Sequence, residues 1–351
     1  MFENTPSSHD EMIDTFTKYQ PLLTEYVDDL VLKRGKARKH MTIEDKKKLD
    51  EYKEISLENP GENYEFHLKS KIFEGAIAKS GEKIFGKNAR VIPTSEYDDW
   101  VNKTDMILEG KDEKEAPVHI AIDATFCKDS MNAERKNGEI YSDIERLNET
   151  KKGGNERFHI KYFTSETAET PTELHGVPRV IIGVHSDRLE EILSLIRKGE
   201  TSHLRTMFLN MIKAQLENQF VFALGVNGEK KDKEDPKTYK KRLPEPIRKE
   251  VKSVYPLCLE AVKSDWEEKK VRDLFSSFEK NKNLFALKQF SIPEYFRFLS
   301  NVNASWNWIS KELDTVKEKE KSAAEHETEV EKKLQSHMEK DRVLKHRPFL
   351  A

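Results

Sequence analysis

The sequence has few of the features that mark secreted, disulfide-bonded or membrane-spanning proteins. Its two cysteines, Cys127 and Cys258, lie far apart among 351 residues and form no pair with metal-ligand spacing, which favours a reducing, intracellular compartment. No apolar run approaches the roughly 20 residues that a transmembrane helix needs. The first residues have neither the basic nor the apolar segment of a signal peptide. We therefore expect a cytoplasmic protein without membrane contact.

The sequence also lacks the short motifs of several enzyme classes. There is no glycine-rich phosphate loop and no serine or cysteine nucleophile pattern, so Cys127 is interpreted as a small apolar residue. The histidines of the central region do not occur at positions i and i+4 of one helix, which argues against a zinc site. These histidines are His119, His159, His175, His185 and His203.

The charge of the chain is balanced, with 61 basic and 64 acidic residues and a net charge of -3. Global attraction to nucleic acid is therefore excluded, and only local patches could supply it. The stretch 226–252 is such a patch, because it holds 10 Lys or Arg against 6 Asp or Glu together with three prolines. We interpret it as a basic linker that binds phosphates in a salt-sensitive way.

Residues 1–60 are predicted to form an N-terminal helical extension. Apolar residues recur at helical spacing, and Pro21 is expected to break this stretch or to begin its second helix. The basic run 33–39 is interpreted as a solvated linker, with a phosphate-contacting arm as the alternative. Thr42 then begins a capping-box-like helix start.

The segment 61–225 is predicted to be an α/β core, because the apolar period changes between helical and strand spacing within it. A helix is expected first, then three strands, a helix, two strands and two helices. The predicted bounds are 62–85, then 89–93, 104–110 and 118–126, then 133–150, then 157–163 and 177–185, and finally 189–196 and 204–224. The strand 177–185 is an almost continuous apolar run, typical of a strand covered on both faces.

The C-terminal part is predicted to be helical. Aromatic residues are frequent in 253–310, which indicates a small helical module with its own core. Residues 311–351 form a Lys/Glu-rich helix and tail. Within them, 311–345 keep a partial heptad register, which leaves open a single exposed helix or a coiled coil for self-association or for a protein partner.

Three carboxylates of the core stand out by their positions. Glu74 lies on the first core helix, Asp105 opens the second strand, and Asp123 lies among apolar residues late in the third strand, 18 positions after Asp105. A buried carboxylate needs a cation, a metal ion or a hydrogen-bond network as partner. The cluster 96–99 is an alternative source of acids, but we interpret it as a solvated turn.

This order of elements and acids resembles the PD-(D/E)xK, restriction-endonuclease-like nuclease superfamily. The resemblance covers about residues 62–225 and implies a three-layer αβββαβ core. It also implies that Asp105 is the first strand acid, Asp123 the second and Glu74 the helix acid. In the family these acids bind Mg²⁺ for phosphodiester hydrolysis, so the implied substrate is nucleic acid, with DNA preferred to RNA.

The chain departs from the family pattern at the motif lysine. Thr125 occupies that position, and a hydroxyl can bind a water but cannot supply positive charge. Lys161 in the next predicted strand is the candidate for a relocated lysine, with Lys128 as a second candidate. Three hypotheses stay open at this point: a Mg²⁺-dependent nuclease, a catalytically degenerate relative that binds nucleic acid or a protein partner, and a structural protein that assembles through its charged helix.

Overall fold

The structure, a computed structural model, combines α-helices with two small β-sheets. It describes residues 8–57, 64–112, 115–127, 130–148, 158–165, 170–223, 267–280, 297–319 and 321–322. The predicted linker 226–252, Lys128 and most of 311–345 lie outside these residues. The chain divides into two units, Met1–Ile309 and Ser310–Ala351, and the described residues of the second unit are helical. Among the described residues, no helix is long and apolar enough to cross a membrane.

The main sheet is mixed and has four strands. These are β1 (Arg90–Pro93), β2 (Met106–Lys111), β3 (Pro117–Cys127) and β6 (Arg179–His185), in that spatial order. The pairs β1–β2 and β2–β3 are antiparallel, whereas β3 and β6 are parallel. All four strands match predicted ones, and β6 is buried at five of its seven residues, as its apolar run predicts.

Helices surround this sheet and form the N-terminal extension. In chain order they are α1 (Ser8–Tyr26), α2 (Asp28–Gly35), α3 (Ile43–Leu57), α4 (Tyr64–Phe85), α5 (Glu96–Trp100), α6 (Ser130–Asn148), α7 (Leu189–Lys198), α8 (Ser202–Ala223) and α9 (Glu268–Lys280). The prediction of a break at Pro21 is wrong, because Pro21 lies inside α1 and the chain turns at Val27. The predicted cap at Thr42 is present, since its hydroxyl oxygen accepts a hydrogen bond from the Asp45 N–H (3.1 Å).

The second sheet is a two-stranded antiparallel ribbon of β4 (His159–Phe163) and β5 (Thr172–His175). The sequence predicts β4 as a strand of the core, but the structure places it in this separate ribbon. Its partner β5 is only partly buried, and its polar sequence predicts no strand. The connection from β3 to its parallel neighbour β6 therefore runs through α6 and the ribbon.

Two described aromatic residues of the C-terminal part of the first unit, Phe275 and Trp306, pack on α8. The rings of Phe275 and Trp306 stack with centroids 4.2 Å apart, and Phe220 of α8 lies 4.6 Å from Phe275. The indole N–H of Trp306 donates a hydrogen bond to Glu217 Oε1 (2.9 Å). In the described residues these aromatics thus share a core with the α/β part rather than forming one of their own.

Replacing Gly75 by alanine is expected to destabilise the protein, because α1 and α4 meet there. A Cβ at Gly75 would come within 2.1 Å of the Tyr26 carbonyl oxygen, so one helix would have to move. We expect the free energy of unfolding to fall by about 1–3 kcal/mol. The matched control is Gly138→Ala on α6, where a Cβ meets nothing within 4 Å. The control should gain about 0.5–1 kcal/mol from helix propensity. Urea denaturation measures the free energy of unfolding of both variants. If Gly75→Ala were as stable as Gly138→Ala, the close contact between α1 and α4 would be contradicted.

Candidate functional site

The two predicted strand acids lie near each other where β2 begins. The last ladder pair is Met106 with Ile122, and the Asp105 N–H donates to the Ile122 carbonyl (2.9 Å). The ladder ends at this pair, and Asp105, one residue before β2, is near enough to Asp123 for the two charges to interact. The carboxylate oxygen Oδ2 of Asp105 also accepts the Ala124 N–H (2.7 Å). Both side chains are buried.

Arg34 joins these strands to the predicted helix acid. Its Nη1 lies 3.3 Å from Glu74 Oε2 and 2.8 Å from Asp99 Oδ2. Its Nη2 donates to the backbone carbonyl of Asp105 (2.9 Å) and lies 3.8 Å from the Asp105 carboxylate. One buried guanidinium therefore contacts acids from α4, α5 and the start of β2. The predictions of a solvated linker or a phosphate-contacting arm for 33–39 are both wrong at Arg34.

Burial and charge act in opposite directions on Arg34. Burial lowers the pKa of its guanidinium, but the attraction of Asp99, Glu74 and Asp105 outweighs burial and raises the pKa above its ordinary value. Lys71, one helical turn before Glu74, behaves in the same way: its ammonium lies 2.9 Å from Glu74 Oε2 and 3.7 Å from Asp99 Oδ2. The attraction of these acids raises the pKa of Lys71 in spite of burial. Both cations therefore remain charged at the site.

Asp99 is an acid of the site that the prediction of a solvated turn missed. It lies on the short helix α5, which Ser95 caps by accepting the Asp98 N–H. The neighbouring Asp98 is fully buried and accepts hydrogen bonds from the backbone N–H groups of Lys161 (2.9 Å) and Tyr162 (3.0 Å). The Ser-x-x-Asp spacing of a capping box is the sequence signal that could have indicated a helix. The alternative acid source considered for 96–99 is the one that the structure supports.

Asp123 is paired with two cations that were not predicted. The Lys136 ammonium on α6 lies 2.6 Å from Asp123 Oδ1, and Arg179 Nη2 on β6 lies 3.7 Å from Oδ2. The Arg179 side chain is 1% exposed, and its guanidinium nitrogens make no hydrogen bond in the described part of the chain. Asp123 is therefore the counter-charge of a fully buried arginine.

The other two predicted residues differ in their placement. Thr125 is buried on the same strand face as Asp123, and its hydroxyl lies 3.4 Å from the Phe126 carbonyl. Lys161 does not reach the acids, because its ammonium lies 2.7 Å from Asp45 Oδ2 beside the second sheet. The prediction of Lys161 as the relocated lysine is corrected for this physical reason: β4 is not a neighbour of β3. The ammonium beside Asp123 comes from Lys136 instead.

Burial and repulsion from neighbouring carboxylates act in the same direction on Asp105. Burial raises the pKa of its carboxyl group well above the ordinary value, and the charges of Glu74, Asp99 and Asp123 raise it further. Lys71 opposes this only in part. Asp105 also shares a hydrogen bond with Asp99. Asp105 therefore keeps its proton to a higher pH than an exposed aspartate, and a divalent cation would relieve the same repulsion.

The donor set fits Mg²⁺ better than a softer metal, because all the groups offer carboxylate oxygens. Within the described ranges, no three of these carboxylates lie within 4.8 Å of one another; the group that does is His159, Glu173 and His175. Mg²⁺ is commonly held by one or two carboxylates and keeps several waters. Asp105 and Asp123, whose charges interact, are the two carboxylates that could meet that requirement.

Comparison of the chain with protein-family models, with curated proteins and with solved structures finds no match.

Proposed function

We propose that the protein is a Mg²⁺-dependent nuclease of the PD-(D/E)xK type that hydrolyses phosphodiester bonds, with DNA preferred to RNA. The observation that carries the proposal is the Lys136 ammonium, 2.6 Å from Asp123 Oδ1. It supplies, from a helix, the positive charge that Thr125 cannot supply from the strand. The order of α4, β1, β2, β3, α6 and β6, and the sheet order β1-β2-β3-β6, also agree with the resemblance and support the proposal.

The acidic and the basic residues of the site have different proposed roles. Asp105 and Asp123, with Glu74 behind them, would hold Mg²⁺, which when bound lowers the pKa of a bound water and neutralises phosphate charge. Lys136 orients the attacking water and stabilises charge that develops on the phosphate. Arg34 and Lys71 form ion pairs with Glu74 and Asp99 and so orient these acids in a buried site. Asp105 must lose its proton before it binds a cation, so activity should rise with pH.

A second function is favoured by one specific observation, the contact of Arg34 with Glu74, Asp99 and Asp105. A buried guanidinium compensates negative charge as a metal ion would. On this alternative the chain is a catalytically degenerate nuclease-fold protein. It would bind nucleic acid, or a protein partner, through the basic linker 226–252 and the C-terminal helices, including self-association through 311–345.

Lys136→Met is expected to reduce Mg²⁺-dependent cleavage about 10²-fold or more, as loss of one preorganised donor to developing charge does. Wild-type protein is assayed on single- and double-stranded DNA and RNA with Mg²⁺ or with EDTA. Arg135→Met is the matched control, because Arg135 is exposed on the same helix and pairs with Glu139. Lys161→Met should also retain cleavage, since Lys161 pairs with Asp45.

The wild-type protein decides between the two functions. Cleavage that requires Mg²⁺ supports the nuclease, and equal cleavage by Lys136→Met and Arg135→Met would remove Lys136 from the mechanism. Wild-type protein with neither cleavage nor a Mg²⁺-dependent change in Tm would contradict the enzyme. Salt-sensitive nucleic-acid binding without cleavage would then support the degenerate alternative.

A further inference from the structure

The two-stranded ribbon brings together a second set of metal-ligating side chains, away from the acids of the main sheet. In the register of β4 and β5, His159 lies directly opposite His175. Opposite residues of an antiparallel pair share a face, and so do residues i and i+2 of one strand. Glu173, two residues before His175, is therefore on the same face as both histidines. A cross-strand group of this kind has no i, i+4 spacing, so the sequence shows no zinc-site pattern there.

The distances within this group match a metal coordination sphere. The Nε2 atoms of His159 and His175 lie 3.2 Å and 3.4 Å from the same Glu173 oxygen, Oε2. Bonds of about 2.0–2.1 Å from zinc to nitrogen or oxygen give tetrahedral ligand separations of about 3.3–3.4 Å. The three ligand atoms all lie within 4.8 Å of one another. A cation could thus be bound with little movement of the side chains.

A simple ion pair does not account for the arrangement. The Nε2 of His159 is buried and makes no hydrogen bond in the described part of the chain, although Glu173 Oε2 is only 3.2 Å away. The carboxylate oxygen therefore lies off the N–H direction of the ring. The two imidazole rings are stacked, with centroids 4.2 Å apart and an angle of 15° between planes. Two imidazole nitrogens and one carboxylate oxygen at these separations are the donors that a shared cation requires.

The backbone holds this set in place. The carbonyl of His159 accepts the Asn102 amide (3.1 Å), which ties β4 to the loop after α5. The carbonyls of His175 and Gly176 both accept the Asn301 amide (3.0 Å each). Ligands on strands fixed by such bonds lose little freedom when a metal binds.

A cavity adjoins two of the three side chains, Glu173 and His175. The cavity has a volume of about 190 Å³, and its lining includes Glu173, His175, His119, Arg297 and Asn301. Three protein ligands and an accessible fourth position are typical of exchangeable zinc sites, where water or an anion completes the coordination. Imidazole nitrogens select metals of the zinc class over Mg²⁺.

We propose that His159, Glu173 and His175 form a binding site for one divalent transition metal of the zinc class. The site is separate from the carboxylate site of Asp105 and Asp123 and does not depend on the proposed nuclease activity.

The test uses Co²⁺ as a spectroscopic probe with the full-length protein at pH 7.5. With excess Mg²⁺ present to occupy the carboxylate site, we expect one Co²⁺ per chain with visible d–d absorption and displacement by Zn²⁺. Saturating Zn²⁺ should raise Tm by about 5 °C or more. Each of His159→Gln, Glu173→Gln and His175→Gln should weaken binding about 100-fold or more, since even residues behind the ligands contribute 10–100-fold.

Two controls locate the metal. His119→Gln alters a histidine that lines the cavity but pairs with Glu109, and it should keep the Co²⁺ spectrum and stoichiometry. Asp105→Asn alters the carboxylate site and should also keep them. Glu173→Gln is the decisive variant, because Glu173 is half-exposed and its replacement leaves no buried charge unpaired. Wild-type protein that binds no Co²⁺, or Glu173→Gln that binds it as the wild type does, would overturn the proposal.

Discussion

Asp105→Asn is expected to abolish Mg²⁺-dependent cleavage while leaving the folded protein at least as stable as the wild type. The loss of activity follows because a neutral amide is a poor ligand for Mg²⁺ and Asp105 is one of the two proposed strand ligands. The gain or constancy in stability follows because Asp105 lies among Glu74, Asp99 and Asp123, whose charges repel its own.

Asparagine can reproduce the hydrogen bonds of the protonated carboxyl group. Its oxygen can accept the Ala124 N–H, as Asp105 Oδ2 does at 2.7 Å. Its amide N–H can donate to Asp99, with which Asp105 shares a hydrogen bond. A decrease in stability would therefore be evidence that Asp105 is ionised in the native state.

The difference in stability between Asp105→Asn and the wild type depends on pH, and the raised pKa of Asp105 determines its sign. Because the native pKa of Asp105 is raised, its contribution to stability is fully present below its unfolded pKa, near pH 4, and is lost as pH rises towards the native pKa. The difference in Tm between Asp105→Asn and the wild type should therefore grow with pH above about 4. Thermal denaturation across pH 4–9 measures it, and a pH-independent difference would contradict the raised pKa.

Mg²⁺ adds a second measurement for the same variant. Mg²⁺ must displace the proton of Asp105, so the Mg²⁺-induced rise in the wild-type Tm should increase with pH. Asp105→Asn should show no such rise at any pH. A Mg²⁺-dependent Tm in the variant equal to that of the wild type would place the metal elsewhere.

Asp123→Asn is expected to abolish cleavage as well, but to destabilise the protein by about 3–5 kcal/mol, the usual cost of leaving a buried charge unpaired. The expected change in stability differs from that of Asp105→Asn because the nearest charged groups of Asp123 are cations. Asp123 balances the buried guanidinium of Arg179 at 3.7 Å and the Lys136 ammonium at 2.6 Å. Lys136 can turn towards water, whereas Arg179 is 1% exposed and cannot. Urea denaturation measures the loss.

A double variant separates the structural role of Asp123 from its role at the site. Asp123→Asn with Arg179→Met removes both members of the buried pair, so we expect recovery of at least half of the lost stability without recovery of cleavage. If the single variant is as stable as the wild type, Asp123 is not the counter-charge of Arg179. If the double variant is no more stable than Asp123→Asn, the cost comes from another contact.

Local sequence patterns predicted most of the elements but not their partners. The strands β1, β2, β3 and β6 follow from apolar period and β propensity, which act over a few residues. The strand β5 was missed because Thr172–His175 has an exposed, polar pattern and exists through pairing with β4. For the same reason β4 was assigned to the wrong sheet, since period alone does not determine which strand lies beside it.

In the candidate site, too, the sequence indicates some of the residues and not others. Glu74, Asp105 and Asp123 stood out because a carboxylate in an apolar stretch is costly and therefore informative. Arg34 and Lys136 did not stand out, because each lies in a charged stretch that is typical of exposed helix or linker. Arg34 on α2 contacts Asp105, which lies 71 residues later in the chain. Lys136 on α6 contacts Asp123 on β3. Both contacts depend on how the helices pack on the sheet.

The sequence by itself determined that this chain is a mixed α/β protein and that three of its carboxylates need partners, because hydrophobic period and the cost of buried charge are local properties. Only the tertiary structure decided which cations those partners are, that Asp99 joins them, and that His159 and His175 meet with Glu173 across a ribbon. These outcomes depend on strand pairing and helix packing between distant segments. The free energy of such contacts depends on three-dimensional proximity, which no short stretch of sequence specifies.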